Sequence, residues 1–257
     1  MNKKYFFFDI DGTLTDVRTG KLVESAKTTI SKLQEQGHFV AIATGRALYK
    51  TRAIAKEAGI HHIVSNGGAA LTIGDELIEN SPLDKQKAVA LCREIESLGY
   101  GLLISPSDSI DVIMKNDDFI KQMGYRLEPT RYFLQKDIQF EDIEYIYKIY
   151  GAVPKEKEHE LTLLDSIGHI RFQGDYLVFQ HDQKDKGIEK MIKKVNGSLE
   201  DVVVFGDDYN DLVMFHDEWT CIAMNHAPDK LKEKADFVTK DSHEDGIEYA
   251  CRHFQWI

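Results

Sequence analysis

The chain has 257 residues, enough for one large α/β domain or for a core with a smaller inserted domain. Hydrophobic residues make up 42% of the sequence, which excludes a disordered chain. The formal net charge of -11 argues against non-specific binding to nucleic acid or to an acidic membrane surface. No apolar run reaches the length of a membrane span, and the three cysteines form no CxxC pair, so we expect a reduced, cytoplasmic protein.

The N-terminal part of the chain alternates short apolar runs with amphipathic segments. The segments predicted as strands are Tyr5–Ile10, His38–Ala43 and Ile60–Ser65. Those predicted as helices are Ala26–Gln36 and Ala47–Ala58, each closed by a glycine. Strands separated by helices of this length predict a parallel sheet with right-handed crossovers.

The middle of the chain, after Ser81-Pro82, has a different pattern. Helices are predicted at Lys85–Leu98 and near Asp117–Met123. The β-like stretches are Ile143–Tyr150, Glu160–Asp165 and Tyr176–Gln180, punctuated by glycine and proline. This mixture is typical of an antiparallel α+β module.

The alternation of strand and helix returns in the C-terminal part. The predicted elements are the helices Lys186–Val195 and Asn210–Phe215 and the strands Asp201–Phe205, Cys221–Met224 and Phe237–Val238. We therefore predict a Rossmann-like parallel sheet core, residues 1–81 and 183–257, with an inserted α+β cap domain, residues 82–182.

The strongest local motif is Asp9-Ile10-Asp11-Gly12-Thr13, directly after the first predicted strand. Ligands of open parallel sheets lie beyond the carboxyl ends of the strands, where this loop falls. Two carboxylates in one loop can converge on a hard cation, and a carboxylate is a competent nucleophile toward phosphorus. A turn rich in Asp and Gly is the plain alternative, whereas an EF-hand calcium loop would need its glycine at the sixth position.

A second acidic motif, Gly206-Asp207-Asp208-Tyr209-Asn210-Asp211, follows the valine-rich strand. Its carboxylates alone are equally well explained as caps of the next helix. Two acidic clusters at the ends of two buried strands favour a shared divalent cation, because gathered carboxylates are costly without one.

Two weaker signals complete the set. Thr44-Gly45-Arg46 follows the second strand, and a hydroxyl with an exposed amide at a helix start suits a phosphate oxygen, although a threonine N-cap is common. Lys186-Gly187 lies between the inserted module and the last strands, where a lysine usually faces solvent.

Four segments of the chain together resemble, in order and spacing, the four motifs of the haloacid dehalogenase superfamily. They are FFFDIDGTL, IATGR, KDKG and FGDDYNDLVMF. More narrowly, the chain resembles Cof-type phosphatases, in which a large cap is inserted between the second and third motifs. The resemblance covers essentially the whole core, and the cap matches in place and size only. The segment Ala223–Ala227 reads Ala-Met-Asn-His-Ala, where relatives commonly have Ala-Met-Gly-Asn-Ala.

The resemblance implies hydrolysis of a small phosphomonoester, a sugar phosphate or related metabolite, through an aspartyl-phosphate and with Mg²⁺. Asp9 is the implied nucleophile and Asp11 the implied general acid and base. The implied metal ligands are Asp9, Asp11, Asp207 and Asp211, and the implied phosphate-binding residues are Ile10, Thr44, Gly45, Lys186 and Asn210. Lys186 is favoured over Lys184 because Gly187 and a helix follow it directly.

Two alternatives stay open. A phosphomutase of the same superfamily would return the phosphoryl group to its substrate instead of to water. A non-catalytic metabolite-binding regulator would keep the fold but predicts damaged motifs, and the motifs here are intact. The cap is expected to close over the crevice and to select the substrate. Its sequence contains no motif that identifies that substrate.

Overall fold

In a computed structural model of the chain, residues 2–172 and 176–257 are described. The chain forms two compact units. The first unit comprises Met1–Asn80 and Asp182–Ile257, and the second comprises Ser81–His181.

The first unit is built from strands that alternate with helices. Its N-terminal elements are β1 (Tyr5–Phe8), α1 (Glu24–Glu35), β2 (Phe39–Ala43), α2 (Leu48–Ala58), β3 (Ile63–Ser65), β4 (Ala70–Ile73) and β5 (Glu76–Asn80). The second unit contains α3 (Lys85–Ser97), β6 (Leu102–Ser105), β7 (Asp111–Met114), α4 (Asp118–Met123), β8 (Arg131–Leu134), β9 (Lys148–Gly151), β10 (His169–Arg171) and β11 (Leu177–Phe179). The chain then returns to the first unit with α5 (Lys184–Lys194), β12 (Val202–Gly206), β13 (Thr220–Ala223), α6 (Asp229–Lys232), β14 (Phe237–Val238) and α7 (Gly246–His253).

The sheet of the first unit has the strand order β14-β13-β12-β1-β2-β3-β4-β5. The strands from β14 to β3 run parallel, and β4 and β5 add an antiparallel hairpin at one edge. β1 is central, with Phe8 opposite both Phe205 and Ile42. Loops that follow β1, β2 and β12 therefore emerge at the same edge of the sheet.

Both faces of this sheet are covered, which explains the continuous apolar run of β1. Phe6 and Phe8 pack with the cluster that contains Ile30 and Leu33 of α1, whereas Phe7 packs on the opposite face with Met191 of α5. Successive side chains of a strand point to opposite faces, so a strand covered on both sides is apolar at every position.

The second unit has a six-stranded sheet in the order β10-β11-β9-β6-β7-β8, antiparallel except for the parallel pair β7–β8. The predicted fold class, a parallel α/β core with an inserted α+β unit, is confirmed. Among the helices of the described residues, none is both long enough and apolar enough to cross a membrane.

The prediction of a β-like stretch at Glu160–Asp165 was wrong. Residues 155–160 and 164–166 form 3-10 turns. Between them, the backbone amides of Thr162 and Leu163 donate to the carboxylate of Glu94 in α3, at 2.8 and 3.0 Å. A side chain thus satisfies the amides that a neighbouring strand would otherwise bind.

Candidate active site

The carboxyl end of β1 places Asp9 at the edge of the sheet. Its backbone amide donates to the carbonyl of Phe205 at 3.0 Å, which continues the parallel ladder one residue beyond the strand. The Asp9 side chain is buried, with a residue exposure of 4%. A carboxylate held in this way needs partners, because burial of an unpaired charge is costly.

Lys184 supplies one of these partners. Its Nζ donates to Oδ1 of Asp9 at 2.8 Å and to Oδ1 of Asp211 at 2.6 Å. The three side chains are 2%, 5% and 0% exposed in the order Lys184, Asp9, Asp211. An ammonium ion therefore joins the first acidic motif to the second within the interior.

The structure corrects the choice of Lys186 for this position. Lys186 lies on the outer face of α5, with its side chain 56% exposed and its Nζ 2.9 Å from Glu189. Gly187 packs on the sheet, since a Cβ there would lie 2.4 Å from Cγ1 of Val64. Residues three apart share a helix face, so Lys184 follows Gly187 inward whereas its neighbour Lys186 does not.

Asp211 also organises the loop that carries Asp207. Its Oδ2 accepts from the backbone amides of Asp207 at 2.9 Å and Asp208 at 3.2 Å. Asp208 in turn caps the 3-10 turn Tyr209–Met214. The helix predicted at Asn210–Phe215 is thus a tighter turn, and both oxygens of Asp211 already have donors.

Asp207 is held by two side chains from other loops. Its Oδ1 accepts from the Thr13 hydroxyl at 2.7 Å, and its Oδ2 lies 3.2 Å from Nε2 of His226. The Nδ1 atom of the same ring lies 3.0 Å from Oδ1 of Asp241. Carboxylates only accept hydrogen bonds, so each contact is formed when the ring nitrogen carries a proton. His226 lies outside the four motifs, so no sequence pattern indicated this contact.

The three aspartates form a group that suits a cation. Ligand oxygens of Asp9, Asp207 and Asp211 lie within 4.8 Å of one another. The ammonium of Lys184 contacts two of these three buried carboxylates, those of Asp9 and Asp211, so negative charge predominates within the group. A small hard divalent ion such as Mg²⁺ prefers oxygen ligands of this kind, so the residues fit it.

The pKa shifts of Asp9, Asp207 and Lys184 reflect this excess of negative charge. Burial raises the pKa of Asp9 well above its ordinary value, and the charges of Asp211 and Asp207 add to the rise while Lys184 opposes it. Burial also raises the pKa of Asp207, against hydrogen bonds from His226 and Thr13. Burial lowers the pKa of Lys184, but the charges of Asp211 and Asp9 outweigh it, so the net shift is upward.

Asp11 lies apart from this buried group. Its side chain is 63% exposed, and both oxygens accept from the Arg46 guanidinium, at 2.8 Å from Nε and 2.5 Å from Nη2. The Thr44 hydroxyl is buried and accepts from the Arg46 amide at 3.1 Å. Arg46 belongs to the motif Thr44-Gly45-Arg46, and its bidentate contact with Asp11 joins the second motif to the first, which the motif alone does not indicate.

The remaining predicted phosphate-binding residues differ in their exposure. The Ile10 side chain is fully buried in the core, so only its backbone faces the loop. Gly45 is half-buried beside Thr44, and Asn210 is exposed in the first turn after Asp208. Their binding of phosphate stays a prediction.

Gly12 is required where it stands. Its φ is +83°, and a Cβ there would lie 2.2 Å from Oδ2 of Asp207. We expect Gly12→Ala to lower the free energy of unfolding by about 2 kcal/mol or more, because it adds a collision to left-handed backbone strain. The matched control is Gly20→Ala, with φ +67° and open space around it, which should cost about 1 kcal/mol. Urea denaturation of both variants measures the difference, and equal losses would contradict the collision.

Comparison with known proteins adds an independent line of evidence. A family model described as haloacid dehalogenase-like hydrolase matches residues 6–250. "Putative phosphatase YkrA" of Bacillus subtilis (strain 168) is 31% identical over 98% of each chain. A hypothetical protein of Geobacillus kaustophilus HTA426 has a solved structure with a TM-score of 0.83 and 28% identity, and the match covers 100% of each chain. The HAD subclass IIB sugar phosphatase BT4131 gives a TM-score of 0.78 at 26% identity, over 99% of this chain and 100% of that one.

Proposed function

The chain belongs to the haloacid dehalogenase-like hydrolases, and on that basis we propose that it hydrolyses small phosphomonoesters through a covalent intermediate on Asp9. The family and the enzyme class, a phosphoric monoester hydrolase, are those that the four motifs predicted. The observation that carries the proposal is the buried group of Asp9, Asp207, Asp211 and Lys184 at the carboxyl edge of a parallel sheet.

In the first proposed step, an oxygen of ionised Asp9 attacks phosphorus. The new Asp9–phosphorus bond forms as the bond from phosphorus to the leaving oxygen breaks. Asp11, in its protonated form, gives its proton to that oxygen and so releases an alcohol. Lys184 holds the Asp9 carboxylate by its 2.8 Å hydrogen bond while charge develops on the phosphoryl oxygens.

In the second step, water attacks the phosphorus of the aspartyl-phosphate. Asp11, now ionised, accepts a proton from the water, and the bond to Asp9 breaks to release inorganic phosphate. Thr44 and the backbone amides of Ile10 and Gly45 are assigned to the phosphoryl oxygens. The Thr44 oxygen already accepts from the Arg46 amide, so its own O–H is the group that donates.

Asp9, Asp207 and the backbone carbonyl of Asp11 would hold Mg²⁺ directly, and Asp211 would hold it indirectly. When bound, the ion would supply positive charge that draws electron density from the phosphoryl oxygens. Asp211 suits the indirect position because its oxygens are engaged by Lys184 and by two amides.

One relative with a solved structure supports the proposed substrate class. BT4131 is named a sugar phosphatase, and we extend that class, sugar phosphates and related metabolites, to this chain. A cytoplasmic setting is part of the same proposal, since the three cysteines are free, buried thiols.

Metal dependence provides the test. Phosphate released by the purified chain is measured with p-nitrophenyl phosphate and with a panel of sugar phosphates, nucleotides and cofactor phosphates. In EDTA the rate should fall by at least about 100-fold and recover when Mg²⁺ is restored. Bis-p-nitrophenyl phosphate, a diester, serves as the control and should react far more slowly. Release that the chelator does not affect, or no release from any monoester, would overturn the proposal.

A further inference from the structure

His226 lies on the loop that follows β13, beside the loop that follows β12. In the register of these parallel strands, Gly206 is opposite Ala223, so the residues just beyond them meet at the same edge of the sheet. The imidazole sits between two carboxylates, 3.2 Å from Oδ2 of Asp207 and 3.0 Å from Oδ1 of Asp241. The ring therefore links a residue of the active site to one that lies outside it.

The contacts on Asp207 leave its carboxylate little freedom. The Thr13 hydroxyl holds one oxygen at 2.7 Å, and His226 holds the other. The backbone of Gly12 lies against the same oxygen, since a Cβ on Gly12 would be 2.2 Å from it and 3.0 Å from Nε2 of His226. A ligand side chain that is already oriented loses less conformational entropy when a cation binds.

The imidazole of His226 is itself held in place by Asp241. Asp241 begins the short turn Ser242–Glu244, and its backbone carbonyl accepts from the amides of Glu244 and Gly246 at 2.9 and 3.1 Å. The side chain of Asp241 is 20% exposed, and that of His226 is 26% exposed. Within the described part of the chain, the group of close ligand atoms contains Asp9, Asp207 and Asp211 and not His226. His226 therefore contacts this group through Asp207.

We propose that His226 is a positioning residue: it fixes the Asp207 carboxylate in the orientation that binds the divalent cation, and Asp241 fixes His226. This inference rests on the proposed function, which assigns Asp207 to the metal. It adds a residue outside the four motifs to the determinants of metal affinity.

The test measures binding of Mg²⁺ and Mn²⁺ to the metal-free chain by titration calorimetry, without substrate. His226→Ala should raise the dissociation constant by about 10- to 100-fold. This is the range typical of metal sites that lose a hydrogen bond to one of the ligand side chains. His226→Gln should retain most of the affinity, because its amide nitrogen replaces Nε2 and still donates to Asp207. His226→Asn should behave like Ala, because its shorter amide replaces Nδ1 and reaches toward Asp241 instead.

Urea denaturation in EDTA accompanies each titration, so that loss of folding is separated from loss of positioning. A dissociation constant for His226→Ala within twofold of the wild-type value would overturn the inference. Equal weakening in the Gln and Ala variants would overturn it as well, because a donor to Asp207 at the Nε2 position would then make no difference to metal affinity. If the wild-type chain binds neither ion, the metal requirement of the proposed function fails and the positioning role fails with it. Metal binding that His226 does not influence leaves the proposed function standing.

Discussion

Replacing Asp9 with Asn is expected to lower the rate of phosphate release from p-nitrophenyl phosphate in saturating Mg²⁺ by at least about 10³-fold. The amide has nearly the shape of the carboxylate but cannot attack phosphorus. The same change should leave the fold intact or stabilise it in EDTA, since burial raises the pKa of Asp9 and so disfavours its ionised form in the folded chain. Initial rates and urea denaturation of the metal-free proteins measure the two effects.

A matched control for this variant is Asp217→Asn, which makes the same chemical change at an exposed position. It should keep the wild-type rate. Mass spectrometry of the wild-type chain quenched during turnover should find a phosphoryl group on the peptide that contains Asp9. A near-normal rate in Asp9→Asn would exclude the nucleophile assignment. Isomerised sugar phosphate with little free phosphate would favour the phosphomutase alternative.

Much of the core could be predicted from the sequence, because its strands are buried on both faces and separated by amphipathic helices. The hairpin β4–β5 was not predicted, although Gly74-Asp75 directly after the apolar run of β4 is a hairpin signal. In the second unit, hydrogen bonds to side chains decided the local structure. The amides of Thr162 and Leu163, for example, bind a carboxylate of α3, a partner that no local pattern indicates.

In the candidate site, too, some contacts could be predicted from the sequence and others could not. Asp9 and Asp207 could be placed together because parallel strands end at one edge of the sheet. His226 is close to Asp207 for the same reason, since the register of β12 and β13 brings their following loops together. That register is set by packing over the whole sheet, so the contact could not be read from a motif. Arg46 was within a motif, but its hydrogen bonds to Asp11 depend on the side-chain directions in two loops.

The two lysines of α5 show why a sequence motif alone does not identify the side chain that faces the site. The sequence KDKG presents both Lys184 and Lys186 near a glycine, and adjacency to Gly187 favoured Lys186. In a helix the neighbour of a residue points about 100° away, whereas the residue three positions before it returns to nearly the same face. Because Gly187 faces the sheet, its partner on the inner face is Lys184.

Lys184→Ala is therefore expected to lower the rate of phosphate release by at least about 100-fold and the free energy of unfolding by about 3–5 kcal/mol. It removes the ammonium from between Asp9 and Asp211 and leaves two buried carboxylates facing each other. Lys186→Ala is the matched control within the same turn. It breaks a surface pair with Glu189, so the rate should not change and the stability should change by less than about 1 kcal/mol.

Added Mg²⁺ distinguishes the loss of the Lys184 charge from the loss of its side-chain volume. With Lys184 gone, Asp9 and Asp211 lose the ammonium that joined them, so Mg²⁺ should raise the unfolding free energy of Lys184→Ala more than that of the wild-type chain. Lys184→Met, which keeps the length of the side chain without its charge, should show the same larger response. Urea denaturation with and without Mg²⁺ gives both values. If Lys186→Ala impairs turnover as strongly as Lys184→Ala, the inner position of Lys184 is not what turnover depends on.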